Sequence, residues 1–153
     1  LYVSLLEGLL VYRGLAENRR WAHALQKKFK TVEEQTWKLT LEVWMLSSIP
    51  CPLLGEDGLC QGYENRPLLC KTVYSRGEAH SCHPHRFLQA PILPRKDFLE
   101  EWNQAEQGLL KRLRLNRVLL PFATAVLLGG RVYKGEVDLH EIEPFTVGAF
   151  RKW

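Results

Sequence analysis

The sequence predicts a mostly α-helical domain folded around an irregular, cysteine-bearing loop. Three observations predict it. Apolar residues recur at helical spacing before Pro50 and again after Pro94. Between those prolines, glycine and proline punctuate the chain, and neither a helical nor a strand period persists. All four cysteines, Cys51, Cys60, Cys70 and Cys82, lie inside that interrupted stretch. The expected organisation is a single domain, residues 1–153, with a helical part at 1–49, a cysteine-bearing loop at 50–94, and a helical and mixed part at 95–153.

The elements follow in chain order. Leu5, Leu6, Leu9, Leu10 and Leu15 mark a first helix, with Glu7, Arg13 and Glu17 between them and a break expected near Gly14. The pattern resumes through Trp21, Leu25 and Phe29. Thr31 is then the expected N-cap of a further helix, because Glu33 and Glu34 suit a first turn. Trp37, Leu41, Trp44 and Met45 form its apolar stripe, which must end before Pro50. Beyond Pro94, Phe98, Trp102, Ala105, Leu109 and Leu113 form one stripe. Asp97 and Glu100 lie at its start and Lys111, Arg112 and Arg114 at its end, in the order the helix dipole favours. A last helix follows Pro121 through Phe122, Val126 and Leu127, with Gly129-Gly130 as its expected stop and Arg131-Val132-Tyr133 as a short strand. The remainder, from Glu136 to Trp153, carries no clear period.

Composition narrows the function classes. The 153 residues are 46% hydrophobic and 25% charged, proportions of a globular chain long enough to bury a core rather than of a disordered tail. The uncharged run Val118 to Gly130 falls short of the twenty or so residues a spanning helix needs. The net charge of +4 is mildly basic. Its densest stretch, Lys111 to Arg117, alternates with leucines, which reads as a solvated helix face and points away from nucleic acid.

The cysteines are the informative feature. His80, His83 and His85 join them at the C-terminal end of the same window. Three readings compete: a zinc or iron–sulfur site, two disulfides, or buried thiols. No C-x-x-C pair is present, so spacing alone does not decide. Energetics favour a metal. The loop carries few apolar side chains to offset the entropy of ordering it, and a structural metal contributes more than two disulfides. Disulfides are the second reading and buried thiols the third.

Here the residues carry a resemblance. Cys51-Pro52-Leu53-Leu54, Asp57-Gly58-Leu59-Cys60, Tyr63-Glu64-Asn65-Arg66-Pro67-Leu68-Leu69-Cys70-Lys71, Ser75 and Cys82 resemble the second half of the C-x-x-C-x-x-C-C family. These are bacterial cysteine-cluster proteins described as zinc- or iron-chelating domains. The match covers about thirty residues, specific in order and spacing, with Lys71 where the family usually has arginine. The family's own C-x-x-C-x-x-C-C run is absent. It would end just ahead of Leu1–Glu7, so the resemblance, together with a chain that opens at Leu1 without Met, implies further cysteines upstream.

The resemblance implies a metal-binding module, with Cys51, Cys60, Cys70 and Cys82 as ligands of zinc or a [4Fe–4S] cluster. His80, His83 and His85 are candidate additional ligands because imidazole suits both metals, although histidines in a Pro-rich loop are often simply exposed. Arg66 is a candidate donor to a thiolate cluster, or else a solvated turn residue beside Pro67. His23 and His140 read as structural or exposed. No phosphate-binding loop, H-E-x-x-H or nucleophile elbow is present, so no catalytic residues are assigned. Flagellin lysine methylases carry a similar cysteine cluster, but this chain shows no cofactor motif of such an enzyme. The expected role is an accessory structural or electron-transfer module of the cytoplasm. The alternative is a non-catalytic interaction subunit that docks onto a larger assembly through its aromatic-rich helices and the Trp153 terminus.

Overall fold

The computed structural model describes residues 2–36, 39, 43, 47, 49–75, 92–94 and 96–142, and the fold is mostly α-helical. Strand β1 (Tyr2–Ser4) leads into helix α1 (Leu5–Glu17), followed by α2 (His23–Thr36). Beyond Pro50 come a 3-10 turn (Tyr63–Asn65), the one-turn helix α3 (Leu68–Thr72) and strand β2 (Val73–Ser75). The last third holds β3 (Ile92–Pro94), α4 (Lys96–Leu113), β4 (Leu119–Pro121), α5 (Phe122–Tyr133) and a 3-10 turn (Leu139–Glu141). Two antiparallel ribbons complete it, β1 with β4 and β2 with β3.

The β1–β4 ribbon stands at the start of two helices and so sets how they meet. Val3 pairs with Leu120, and the Leu5 amide donates to the Val118 carbonyl at 3.0 Å. From that junction α1 and α5 cross at close range. Gly8 abuts the Ala125 backbone and Gly129 abuts the Leu9 backbone, so neither position has room for a Cβ. Around the crossing lie Leu5, Val11, Tyr12, Leu15, Phe122, Ala123 and Val126, with Leu25 and Phe29 from α2. A run of aromatic contacts ties these helices together. Tyr12 meets Tyr133 and Trp21, Trp21 meets Phe29, and Phe29 meets Phe122, with centroids 4.9 to 5.7 Å apart. The expected Trp21, Leu25 and Phe29 face is therefore core-facing.

Several expected boundaries move, each for a visible reason. Gly14 does not break α1. It is buried mid-helix because the Asn65 side chain lies over it. The helix ends later, where Arg19 takes a positive φ of 55° and Arg20 donates back to the Leu15 carbonyl. Thr31 is an interior residue of α2, not an N-cap, since the helix already begins at His23. Gly129-Gly130 does not stop α5, because those glycines serve close packing. The left-handed residue that ends α5 is Gly135 (φ 72°), with Glu136 donating to the Arg131 carbonyl. Arg131 to Tyr133 are accordingly the last turn of that helix, not a strand.

The α4 stripe faces largely outward. Phe98, Leu109 and Leu113 are exposed, while Glu106 and Leu110 face inward. An ion pair accounts for this orientation. Arg117 Nε lies 2.9 Å from Glu106 Oε2, and its Nη2 donates to Asn103 Oδ1 at 2.8 Å, so the helix docks through a charged anchor that an apolar pattern does not reveal. The stripe Trp37, Leu41, Trp44 and Met45 lies outside the described residues.

Candidate functional site

The cysteine segment begins as a tight hairpin-like turn. Leu54 bridges to Cys60, Gly55 donates to the Leu59 carbonyl at 2.8 Å, and Gln61 donates to the Leu53 carbonyl at 2.8 Å. The turn between them explains the Asp57-Gly58 pair. Asp57 Oδ1 accepts from the Leu59 amide at 3.0 Å, and Gly58 takes φ 77°, a conformation that disfavours a side chain. Cys51 and Cys60 thus stand on the two legs of one turn, both half-buried and packed against the core.

This turn is seated on α1. Leu53 is buried against the core, and Gly62 lies so close to Leu53 that a side chain there would displace it. Arg20 Nη1 reaches from the end of α1 to the Gln61 carbonyl at 3.0 Å, and Lys28 Nζ from α2 to the Leu54 carbonyl at 3.5 Å. Two cations therefore hold the turn, one on each leg.

Cys70 comes from a different element. Arg66 is extended (φ −65°, ψ 152°), as the residue before Pro67 must be. Pro67 then accepts the Lys71 amide at 3.1 Å, opening the single turn of α3 on which Cys70 sits, half-buried. The Leu68 amide has no intrahelical acceptor and donates to Glu7 Oε1 at 2.9 Å. The Arg66 guanidinium lies 3.9 Å over the Tyr63 ring, and its Nε–H is buried with no acceptor among the described residues.

The segment expected to be wholly irregular therefore holds a turn, a short helix and a ribbon. In that ribbon Val73 pairs with Pro94 and Ser75 with Ile92. The ribbon follows immediately after the element that carries Cys70. Cys82, His80, His83 and His85 fall within 76–91, outside the described residues. Among the described residues, no group of three or more His, Cys, Asp or Glu side chains is placed to hold a metal ion. His23 and His140, expected to be structural or exposed, are exposed.

Sequence reasoning passed over Glu7, treating it as a spacer between leucines. The signal was there. Ser4-Leu5-Leu6-Glu7 is a capping box, with Ser4 Oγ accepting from the Glu7 amide at 3.2 Å and Glu7 Oε2 accepting from the Ser4 amide at 3.1 Å. Its second duty, to the Leu68 amide far along the chain, has no local signature.

A cavity of about 20 Å³ beside Glu106 and Leu110, room for about one water, lies between α4 and the β1–β4 ribbon. Among the described residues no helix is long and apolar enough to cross a membrane. No protein-family model, curated protein or solved structure matches the chain.

Proposed function

We propose that the chain is a metal-binding cysteine module that holds zinc or an iron–sulfur cluster through Cys51, Cys60, Cys70 and Cys82. Its role is then structural or electron-transferring, as an accessory of other proteins and not as an enzyme by itself. The observation that carries the reading is Arg66. A buried guanidinium N–H with no acceptor among the described residues is costly, and a thiolate-bound metal would supply an anionic one. The donor chemistry agrees, since Cys51, Cys60 and Cys70 are all half-buried on elements anchored to α1. The ribbon sets Ser75, five residues after Cys70, opposite Ile92. Bound zinc supplies a closed structural cross-link, and a cluster supplies an electron carrier. Either requires deprotonated thiols, and the cytoplasm is the compartment that keeps thiols reduced.

Anaerobic purification followed by elemental analysis and a visible spectrum tests this. Stoichiometric zinc in a colourless protein, or iron with broad charge-transfer absorption, supports it. Absence of both metals together with fully oxidised cysteines overturns it in favour of disulfides.

One observation favours a second reading, an interaction subunit. Phe98, Leu109 and Leu113 lie on one face of α4 and are 38%, 48% and 42% exposed. A metal-loaded, monodisperse monomer by hydrodynamic size supports the first reading, whereas aggregation relieved only by a co-expressed partner supports the second.

A further inference from the structure

We propose that Glu7 is the positioning residue of the cysteine site, a reading that rests on the metal-binding function proposed above. A helix of one turn has no stability of its own, so α3 lies wherever its ends are tied. Its N-terminal end is tied to Glu7. One carboxylate oxygen accepts the Leu68 amide at 2.9 Å, while the other accepts the Ser4 amide at 3.1 Å and so closes the first turn of α1. Ser4 and Leu68 are 1% and 8% exposed, which shields both bonds from competing water.

The consequence is a common frame. Leu53 and Gly62 already seat the Cys51–Cys60 turn on α1. Glu7 adds Cys70, two residues beyond the amide it holds, to the same helix. Three of the four proposed ligands are then referred to α1, and Glu7 sets where the third of them stands. It touches no metal and acts only through α3.

Cobalt(II) titration of the metal-free full chain, read by thiolate-to-cobalt absorption, with zinc competition, provides the test. Hydrogen exchange at residues 68–72 of the metal-free protein is measured alongside. Glu7→Ala is expected to weaken both metals about tenfold, as loss of an orienting partner does, and to speed exchange at 68–72. Ser4→Ala removes the hydroxyl that caps α1 but leaves the Glu7–Leu68 bond, so it lowers Tm with metal affinity unchanged. Glu7→Gln retains a carbonyl acceptor and recovers most of the affinity. Should Glu7→Ala not fold, Glu7→Asp replaces it, because the shorter side chain cannot span α1 and α3 and is expected to show the same loss. Equal affinity in wild type and the Glu7 variants, or an equal loss in Ser4→Ala, overturns the positioning role while leaving the metal site intact. A wild-type chain that gives neither thiolate-to-cobalt bands nor iron–sulfur absorption after anaerobic reconstitution removes the metal site, and the positioning role with it.

Discussion

The α1–α5 crossing and the cysteine segment are held by opposite means. At the crossing, Gly8, Ala125 and Gly129 let two helix backbones approach directly, and fully buried apolar side chains such as Leu15, Phe29 and Val126 surround the contact. Among its described residues, the cysteine segment buries few side chains, chiefly Pro52, Leu53, Pro67 and Leu68. It is held by backbone hydrogen bonds, an Asx turn and long side chains that reach in from α1 and α2. The difference teaches which half needs help. Apolar burial is cooperative and requires no ligand, whereas a segment made of turns opens locally unless something else is bound.

The largest expected effect breaks the crossing. Gly129→Ala places a methyl against the Leu9 backbone, which cannot yield without separating α1 from α5. A loss of about 3 kcal/mol is expected, at the upper end for overpacking. Chemical denaturation should show it as a lower midpoint shared by every probe, helical and aromatic alike. An unchanged midpoint would show that the crossing is looser than drawn.

Removing metal should act on the other half alone. Chelation, or Cys60→Ser or Cys70→Ser, is expected to raise protease sensitivity around Gly55–Gly62 and Arg76–His85, while helical circular dichroism falls only modestly. Substituting His140, exposed on its 3-10 turn, should do nothing comparable. If hydrogen exchange in the segment is equally slow with and without chelator, or slows only on oxidation, metal is not what holds it.

The same glycine substitution sharpens the contrast when moved into the turn. Gly58→Ala forces an L-residue into φ 77°, at a cost of about 1 kcal/mol. That cost should appear as faster exchange near Leu54–Cys60, with the denaturation midpoint of the helical core nearly unmoved. A global shift matching that of Gly129→Ala would merge the two regions into one cooperative unit.

The degree to which each region was legible in the sequence follows the same division. Helical periodicity located α1, α2, α4 and α5, because burial of a stripe is a local, periodic property. It misplaced their ends wherever a tertiary contact decides. Gly14 and Gly129 read as breaks but are contact points, and the true stops lie at Arg19 and Gly135, in left-handed conformations. It did not reveal how α4 faces, since Glu106 is buried by Arg117 and a hydropathy pattern assigns charge to the surface. In the cysteine segment, the Asp57-Gly58 turn was readable as a motif, and its structural duty is now visible. The Glu7–Leu68 bond joins residues 61 positions apart, and no local pattern announces it.

The smallest expected effect lies at the edge of the core and isolates it by pH. Glu33, on the half-buried side of α2 near Thr124, has its carboxyl held above the ordinary value of 4.5. Burial is the main cause, aided by neighbouring Glu34 and opposed by the Thr124 hydroxyl and Lys30. A raised carboxyl means that the folded state binds the proton more tightly than the unfolded state does. The stabilisation is therefore present at low pH and is lost as pH rises from about 4.5 through the folded value. Glu33→Gln cannot ionise and escapes that loss. Its stability relative to wild type should be greater at pH 7 than at pH 4, as read from urea midpoints at the two values, and the other carboxylates, present in both proteins, cancel in the comparison. Exchange in the cysteine segment should not respond, because Glu33 faces α5 and not the turn. A stability difference independent of pH would show that Glu33 is as well solvated in the folded chain as in the unfolded one.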